Sequence, residues 1–396
     1  MGNVARGPEP PADGDRNAQR AAPAEARGRK DGLLLYGAPD ASPDLFHAIP
    51  EGIVDPFLFV ESDGRRVATV SVLDADKVRA HGVEVLDPSS LGADELIAQG
   101  VTRTALTVEI ALRGCRAAGV DHGVVPPDFP VAVADHLRAN GIALLVDAEV
   151  FVARRRAKTP AQVAGIRRAQ QAADAAMAVA AEMIREFAAG VSSEGIRDAM
   201  RVCCDRMGCD LPGDVIVSHG PQSAVGHEEG HGELLRGEPV VVDIWPQDRA
   251  SRCWADMTRT FLAGGGEAPG ELREYWRLCR ESLDLVYPEV RAGADCRELF
   301  ARSCEPFHAA GKATQLNKEP GAVLQDGYFH GLGHGVGLEI HERPYLGRAP
   351  DELQAGDVVS LEPGCYRQGF GGCRLEDLVL VTEDGCEVLT DFPYDL

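Results

Sequence analysis

The sequence contains no Cys-x-x-Cys pair, no secretory h-region and no apolar run approaching a membrane span. Without paired cysteines at metal-ribbon spacing, zinc-ribbon and thioredoxin-like readings fall away. A bilayer span needs about 20 consecutive apolar residues; the best stretch, near Ala175–Ala181, is bounded by Asp174 and Glu182. Basic charge is also short: 40 Lys+Arg stand against 62 Asp+Glu, for a net charge of −22. Such a balance repels phosphate, which argues against nucleic acid and against an acidic membrane surface. The eleven cysteines are scattered and odd in number, as expected of reduced thiols in a cytoplasmic protein.

What is present is ordinary globular composition: 44% hydrophobic and 26% charged residues over 396 positions. That length accommodates more than one domain, each with its own core. Residues 1–30 are rich in Pro, Ala, Gly and Arg with no apolar period, and read as a disordered tail. From Leu33 onward, apolar runs at 33–36, 57–60, 67–70 and 144–146 read as strands, with Asp63-Gly64 as a turn between two of them. A helical stretch near 131–140 completes an α/β pattern over residues 31–155. The basic run Arg154-Arg155-Arg156-Ala157-Lys158 reads as a solvated linker. Thr159-Pro160-Ala161-Gln162 then reads as a capping box with proline at the first helical position. The helix it opens is expected to run to about Gly190, and a second to cover 194–208. Strands are expected at 215–218, 239–245, 256–262, 358–361 and 375–381, with helices near 272–290 and 296–311. That order implies an α+β second domain over 160–396 with a mostly antiparallel sheet.

Five residues stand where this pattern does not want them. Asp243 ends the run Val240-Val241-Val242, and Asp256 opens the next apolar segment. His334 lies in Gly331-Leu332-Gly333-His334-Gly335-Val336-Gly337. Glu362 follows Val358-Val359-Ser360-Leu361, and Glu376 precedes Asp377-Leu378-Val379. Singly, each acid reads as a turn or strand-end residue. Together, four buried carboxylates on neighbouring strands would repel strongly unless a cation joined them. Four carboxylates and one imidazole suit Mn²⁺, Co²⁺ or Fe²⁺, and also Zn²⁺. Bridging carboxylates hold two such ions about 3.5–4 Å apart. The glycine-rich strip 329–342 also carries His330 and His341. It lacks Gly-x-Gly-x-x-Gly spacing, so it is not a dinucleotide fingerprint.

These motifs resemble those of the pita-bread metallopeptidases: methionine aminopeptidase, aminopeptidase P and prolidase, grouped as family M24. The resemblance covers residues 160–396. It extends more weakly to residues 31–155, which are similar to the N-terminal α/β domain of creatinase and prolidase. It implies that Asp243, Asp256, His334, Glu362 and Glu376 hold two divalent ions, Mn²⁺ foremost. It further implies that Glu362 helps activate water and that His227 lines the substrate pocket. His341 would contact the scissile amide, and His330 and Arg374 would bind substrate. The implied activity is hydrolysis of the peptide bond preceding proline by a metal-bridged hydroxide, with a small peptide as substrate and a homodimer as the assembly. Creatinase shares the fold without the metal ligands, so the five retained here argue against a metal-free mechanism or a binding protein.

Two features depart from the pattern. Asp243 and Asp256 are farther apart than is usual in the family, so residues 244–255, with Trp245 and Trp254, are expected to form a longer hairpin. That segment motivates a second reading, a non-peptidase metal-dependent hydrolase or lyase acting on a small molecule on the same scaffold. His231 has no counterpart in the resemblance and reads as an exposed loop residue.

Overall fold

The computed structural model describes residues 31–396; the tail expected over 1–30 lies outside them. The first half opens with β1 (Asp31–Gly37), α1 (Pro43–Ala48), β2 (Phe57–Ser62) and β3 (Arg65–Ala68). Asp63 and Gly64 join β2 to β3 with φ of 51° and 74°. Left-handed backbone at both central residues is what a two-residue hairpin requires, so the turn signal in the sequence was sufficient. The chain continues through α2 (Ala75–Ala80), β4 (Glu84–Val85), α3 (Ala93–Ala98) and α4 (Arg103–Ala118). β5 (His122–Val125), α5 (Val131–Ala139), β6 (Ala143–Val146) and α6 (Ala148–Arg156) complete this half. Its strands form one mixed sheet in the order β4-β3-β2-β1-β5-β6. Alternation along β1 and β2 sends Leu34, Leu58 and Val60 to one apolar layer and Leu35, Phe57 and Phe59 to the other.

The second half begins with α7 (Pro160–Glu186) and α8 (Ser193–Arg206). Both halves of the expected capping box form: Gln162 N donates to Thr159 Oγ1 at 3.2 Å, and Thr159 N to Gln162 Oε1 at 2.9 Å. The helix stops before Gly190 because Phe187 takes the left-handed cap (φ 49°), its ring covered by the Arg236 guanidinium at 4.6 Å. There follow β7 (Cys209–Asp210), β8 (Ile216–His219), β9 (Pro239–Ile244), β10 (Gln247–Asp248) and β11 (Met257–Leu262). Then come α9 (Gly270–Val286) and α10 (Cys296–Ala309). α9 ends short of Val290 in a single 3-10 turn around Pro288. The last strands are β12 (Gly333–Gly335), β13 (Glu342–Leu346), β14 (Val358–Leu361), β15 (Gly364–Arg367), β16 (Gly371–Arg374), β17 (Asp377–Val381) and β18 (Cys386–Val388).

Two antiparallel sheets result, β11-β9-β8 and β13-β12-β14-β17-β18, with the short ribbons β10-β7 and β15-β16. Each sheet is backed by a helix pair. Met177 and Ile184 of α7 and Met200 of α8 pack with Val240, Val242 and Phe261. Leu278 and Leu283 of α9 and Phe300 and Phe307 of α10 pack with Leu361, Leu375 and Val379. The sheets meet where Glu376 N donates to Thr258 O at 3.0 Å and Arg374 N to Thr260 Oγ1 at 3.0 Å. The α+β expectation with an antiparallel sheet is met.

The run 154–158 is not a solvated linker. Arg154, Arg155 and Arg156 close α6, and the last two are sunk between the halves. Arg156 makes a bidentate pair with Asp357 (2.9 and 2.5 Å) and donates to Glu352 O. Arg155 pairs with Asp44, Glu339 and Glu342, and Lys158 donates to Glu342 Oε1 at 2.5 Å. The linker reading failed because the acids that meet this run come from remote positions on both halves. Residues 244–255 do form an extended hairpin. β9 and β11 stay in register up to Ile244↔Met257. Beyond that point β10 pairs with β7, and Arg252 reaches Asp40 O, Asp40 Oδ1 and the Phe46 ring.

Removing one partner of a buried pair strands the other charge, which costs about 3 kcal/mol or more, whereas an exposed pair contributes about 1 kcal/mol or less. Arg156→Ala should therefore lower unfolding free energy by about 3 kcal/mol in urea titration. Arg167→Ala, which breaks the surface pair with Glu387, should change it by about 1 kcal/mol at most. Equal effects would refute the buried role of the seam.

Candidate metal centre and substrate cavity

The five suspected ligands arrive at one place from two sheets. Asp243 lies in β9, opposite Thr258 of β11 and Ile216 of β8. Asp256 immediately precedes β11, Glu376 immediately precedes β17, and Glu362 immediately follows β14. His334 sits in β12, its backbone N held by Ser360 Oγ at 3.2 Å. The flanking Gly333 is obligatory, since a Cβ there would meet Ser360 O at 1.9 Å. Strand-end positions let side chains converge while their backbones remain fixed by the ladders.

His334 Nε2 stands 3.6 Å from Asp256 Oδ2 and 3.8 Å from Glu362 Oε1. Ligand atoms of Asp256, His334 and Glu376 all lie within 4.8 Å of one another. Asp243 gives Oδ2 to Arg374 Nη2 at 2.5 Å, while its buried Oδ1 has no hydrogen-bond partner. An unpaired buried carboxylate oxygen beside three more acids and an imidazole is costly as it stands and is what a hard divalent cation takes. The residues present fit divalent metal.

The electrostatics agree. Burial, and then the neighbouring acids, push the Asp256 and Glu376 carboxyls well above their ordinary range. Burial raises Glu362 to about 8, with Asp243 adding to the shift and Arg374 opposing it. Burial lowers His334 to about 3, assisted by His341, and His330 to about 3, assisted by Arg374. Burial also lowers His341, whose ring stands 4.3 Å from that of His334. The histidines are thus neutral and able to ligate or to donate a single N–H.

The centre opens into a cavity of about 680 Å³. His227, His330, His341 and Arg374 line it along with all five suspected ligands, so every site residue expected from sequence faces one space. His231 does not line it; its side chain is exposed and near Glu228. Sequence reasoning missed Asp214, Ile216, Glu229, Phe329 and Ile340 in the wall. It also missed Tyr366, whose hydroxyl accepts from Arg374 Nη1 at 2.9 Å and meets His330 Nε2 at 3.0 Å, and Thr258, which donates to Glu376 Oε2 at 2.7 Å. Tyr366 and Thr258 sit in alternating apolar strands and carry no signal apart from core packing.

A profile of the metallopeptidase family M24 matches residues 164–383, more than half of the chain. The chain belongs to metallopeptidase family M24. Xaa-Pro dipeptidase of Pyrococcus furiosus is 32% identical over 237 residues, covering 59% of this chain and 62% of the relative. The chain thus spans less than two thirds of that relative's length. The solved Xaa-Pro dipeptidase of Bacillus anthracis superposes with a TM-score of 0.76 at 24% identity, covering 93% of this chain and 94% of that one. Aminopeptidase P of E. coli gives 0.69 at 21% identity, covering 91% and 90%. These likenesses carry the pita-bread fold of the family to this chain. Divalent metal belongs to the family's chemistry, and Asp256, His334 and Glu376 are grouped to hold it.

Metal must displace the protons that the raised carboxyls retain. Binding at neutral pH should release about one proton or more, read from titration calorimetry in buffers of different ionisation enthalpy. The metal-free protein should also change stability with pH in a defined direction. Folded Glu362 keeps its proton up to about 8, whereas an unfolded glutamate loses it near its ordinary value of about 4.3. The stability this supplies is fully present below the unfolded value and is lost as pH rises through about 8. Thermal midpoints of the stripped protein that rise over that window would refute the assignment.

Proposed function

We propose that this chain is a metal-dependent peptidase that cleaves the bond preceding proline. The observation that supports it most is the convergence of Asp243, Asp256, His334, Glu362 and Glu376, with the unpartnered Asp243 Oδ1, on one cavity. The relatives named Xaa-Pro dipeptidase support the proline preference. We assign residues 160–396 as the catalytic domain and residues 31–155 as the creatinase-like N-terminal domain, and take the centre to hold two ions, Mn²⁺ foremost.

When bound, such ions supply Lewis acidity towards the scissile carbonyl and lower the pKa of water. The chain's own groups account for the remaining steps. Glu362 takes a proton from the attacking water and returns it to the leaving proline nitrogen. Neutral His341 donates its N–H to the oxygen on which charge develops. Arg374, fixed by Asp243 and Tyr366, holds Asp243 in place and keeps a positive field beside the acids. Water adds across the amide, hydroxyl to carbon and hydrogen to nitrogen, and no redox partner is required.

The alternative of a small-molecule lyase drew on the long segment 244–255. Docking of that hairpin on Asp40 and Phe46 accounts for its length, and only Trp245 of it reaches the cavity. The peptidase reading is therefore retained.

Purified protein loaded with Mn²⁺ should cleave peptides with proline in the second position and lose cleavage on chelation. Asp256→Asn with Glu376→Gln should lower kcat by about 10³-fold or more while far-UV circular dichroism is kept, since both residues act as one unit with the metal. Undiminished turnover by the double variant, or no cleavage of any proline peptide by the loaded protein, would overturn the reading.

A further inference from the structure

Residues 225–232 belong to no helix or strand, so no continuous ladder sets their course. They nonetheless supply Val225, Gly226, His227 and Glu229 to the cavity wall. The His227 ring has no hydrogen-bond partner among the described residues. Where it stands is therefore set by the backbone that carries it. Three side chains that do not line the cavity grip that backbone. Arg197 of α8 donates through Nη1 to Glu229 O at 2.6 Å and to Gly230 O at 2.9 Å. Gln222 makes two bonds to His231, Oε1 accepting from its N at 2.8 Å and Nε2 donating to its O at 3.1 Å. His219 Nε2 meets the same carbonyl at 3.2 Å, while its Nδ1 meets Glu238 Oε2 at 2.9 Å. Gly230, at φ 80°, is pressed against β8, where a Cβ would meet Val217 O at 2.0 Å.

Arg197 is the member of this grip whose presence core packing does not explain. It is buried, and the carboxylate near it among the described residues, Glu194 at 3.9 Å, is itself exposed. The carbonyls of Glu229 and Gly230 are its hydrogen-bond acceptors. Burying a cation without a close carboxylate is costly, and a cationic N–H binds a carbonyl more strongly than a neutral one does. That cost is offset only where a fixed course of the wall segment matters. Loss of the guanidinium would not detach the segment altogether, because Val217 N would still donate to Glu229 O at 2.9 Å. Gly230 O, however, would lose its partner, and the stretch that carries His227 would be free to shift.

We propose that Arg197 is a positioning residue for turnover, acting through the backbone of residues 229–231 to hold His227 at its place in the cavity wall. Gln222 supports it from the other side of His231. The kinetic part of this proposal rests on the peptidase reading above; the part that concerns the backbone does not.

The test is a double-mutant cycle on the full chain loaded with Mn²⁺, using Arg197→Met, which keeps the length of the side chain without its charge, and His227→Ala. Arg197→Met should lower kcat/KM on a proline peptide by about tenfold, the scale on which a misplaced wall group acts, and Arg197→Lys, which can still reach one carbonyl, should recover part of the loss. In the His227→Ala background the same change should cost less than about twofold, because a residue that acts through another has nothing left to position. Hydrogen exchange followed by mass spectrometry should show faster uptake in Arg197→Met confined to residues 225–232, with or without metal. Should Arg197→Met not fold, Gln222→Ala carries the same cycle and the same exchange measurement. Equal losses in the two backgrounds, unchanged kcat/KM, or faster uptake spread through α8 and its sheet would overturn the inference and leave the peptidase reading standing. No cleavage by the unmodified chain would overturn the peptidase reading, and the exchange result alone would then decide whether Arg197 holds the segment.

Discussion

Four carboxylates forced into one buried space are the constraint on which the second half of this protein is organised. Without a cation they repel, hold the Asp256, Glu362 and Glu376 carboxyls above their ordinary range and leave Asp243 Oδ1 unpaired. No rearrangement of the apolar core relieves this, because each acid is fixed at the end of a strand whose ladder sets its position. The two sheets are thus held in a relation that is favourable only when charge of the opposite sign lies between them. Arg374 supplies part of that charge from the protein itself, and its 2.5 Å contact with Asp243 engages one oxygen while the other has no hydrogen-bond partner.

Behind this centre a second buried guanidinium performs a purely structural task. Arg259, in β11, donates to the backbone carbonyls of Thr258, Glu376, Phe392 and Pro393 and pairs with Asp377 at 2.9 Å. Tyr287 and Tyr394 both donate to the other oxygen of Asp377. This network joins the strand that follows Asp256 to the strand that follows Glu376, and it binds the C-terminal segment over the joint. Two of the suspected ligands are consequently set by a shared scaffold rather than by their own loops. The short reach of an aspartate demands such rigidity, since a shift of an ångström at a strand end would separate it from its partners.

The reading from sequence succeeded where the chemistry was local. Strand-ending acids, the glycine strip around His334 and the Thr159–Gln162 capping box are each visible within a few residues, and each formed as expected. Helix ends were less legible: the helix expected to run to about Gly190 stops at Glu186, because Phe187 takes the left-handed cap, its ring held by Arg236. Contacts between remote segments were not legible at all. Tyr366 reads as a core aromatic, yet it orders Arg374 and His330. The basic run 154–158 reads as solvated, yet it is among the most deeply paired charge in the molecule. The acids that meet the basic run lie far along the chain, and Tyr366 meets Arg374 only because the β15–β16 hairpin folds one against the other; one sequence carries no record of either.

The basic seam gives the first half of the chain a direct mechanical relation to the cavity. Lys158 and Arg155 both grip Glu342, the residue next to His341, and Arg155 also holds Asp44 of α1 and Glu339. A Cβ at Gly337 would lie 2.5 Å from Glu342 Oε1, so glycine at this position leaves the room that the acid occupies. On the opposite flank, Arg252 at the tip of the 244–255 hairpin takes hold of Asp40. The hairpin is bounded by Asp243 and Asp256, and the seam by His341, so the six-stranded half is clamped to two segments that line the cavity. A domain that merely covered the pocket would need only shape. One tied by ion pairs to the residues beside a suspected ligand and beside a cavity histidine also limits how far those residues can drift, and at Glu342 it does so through charges buried well enough to escape most screening by salt.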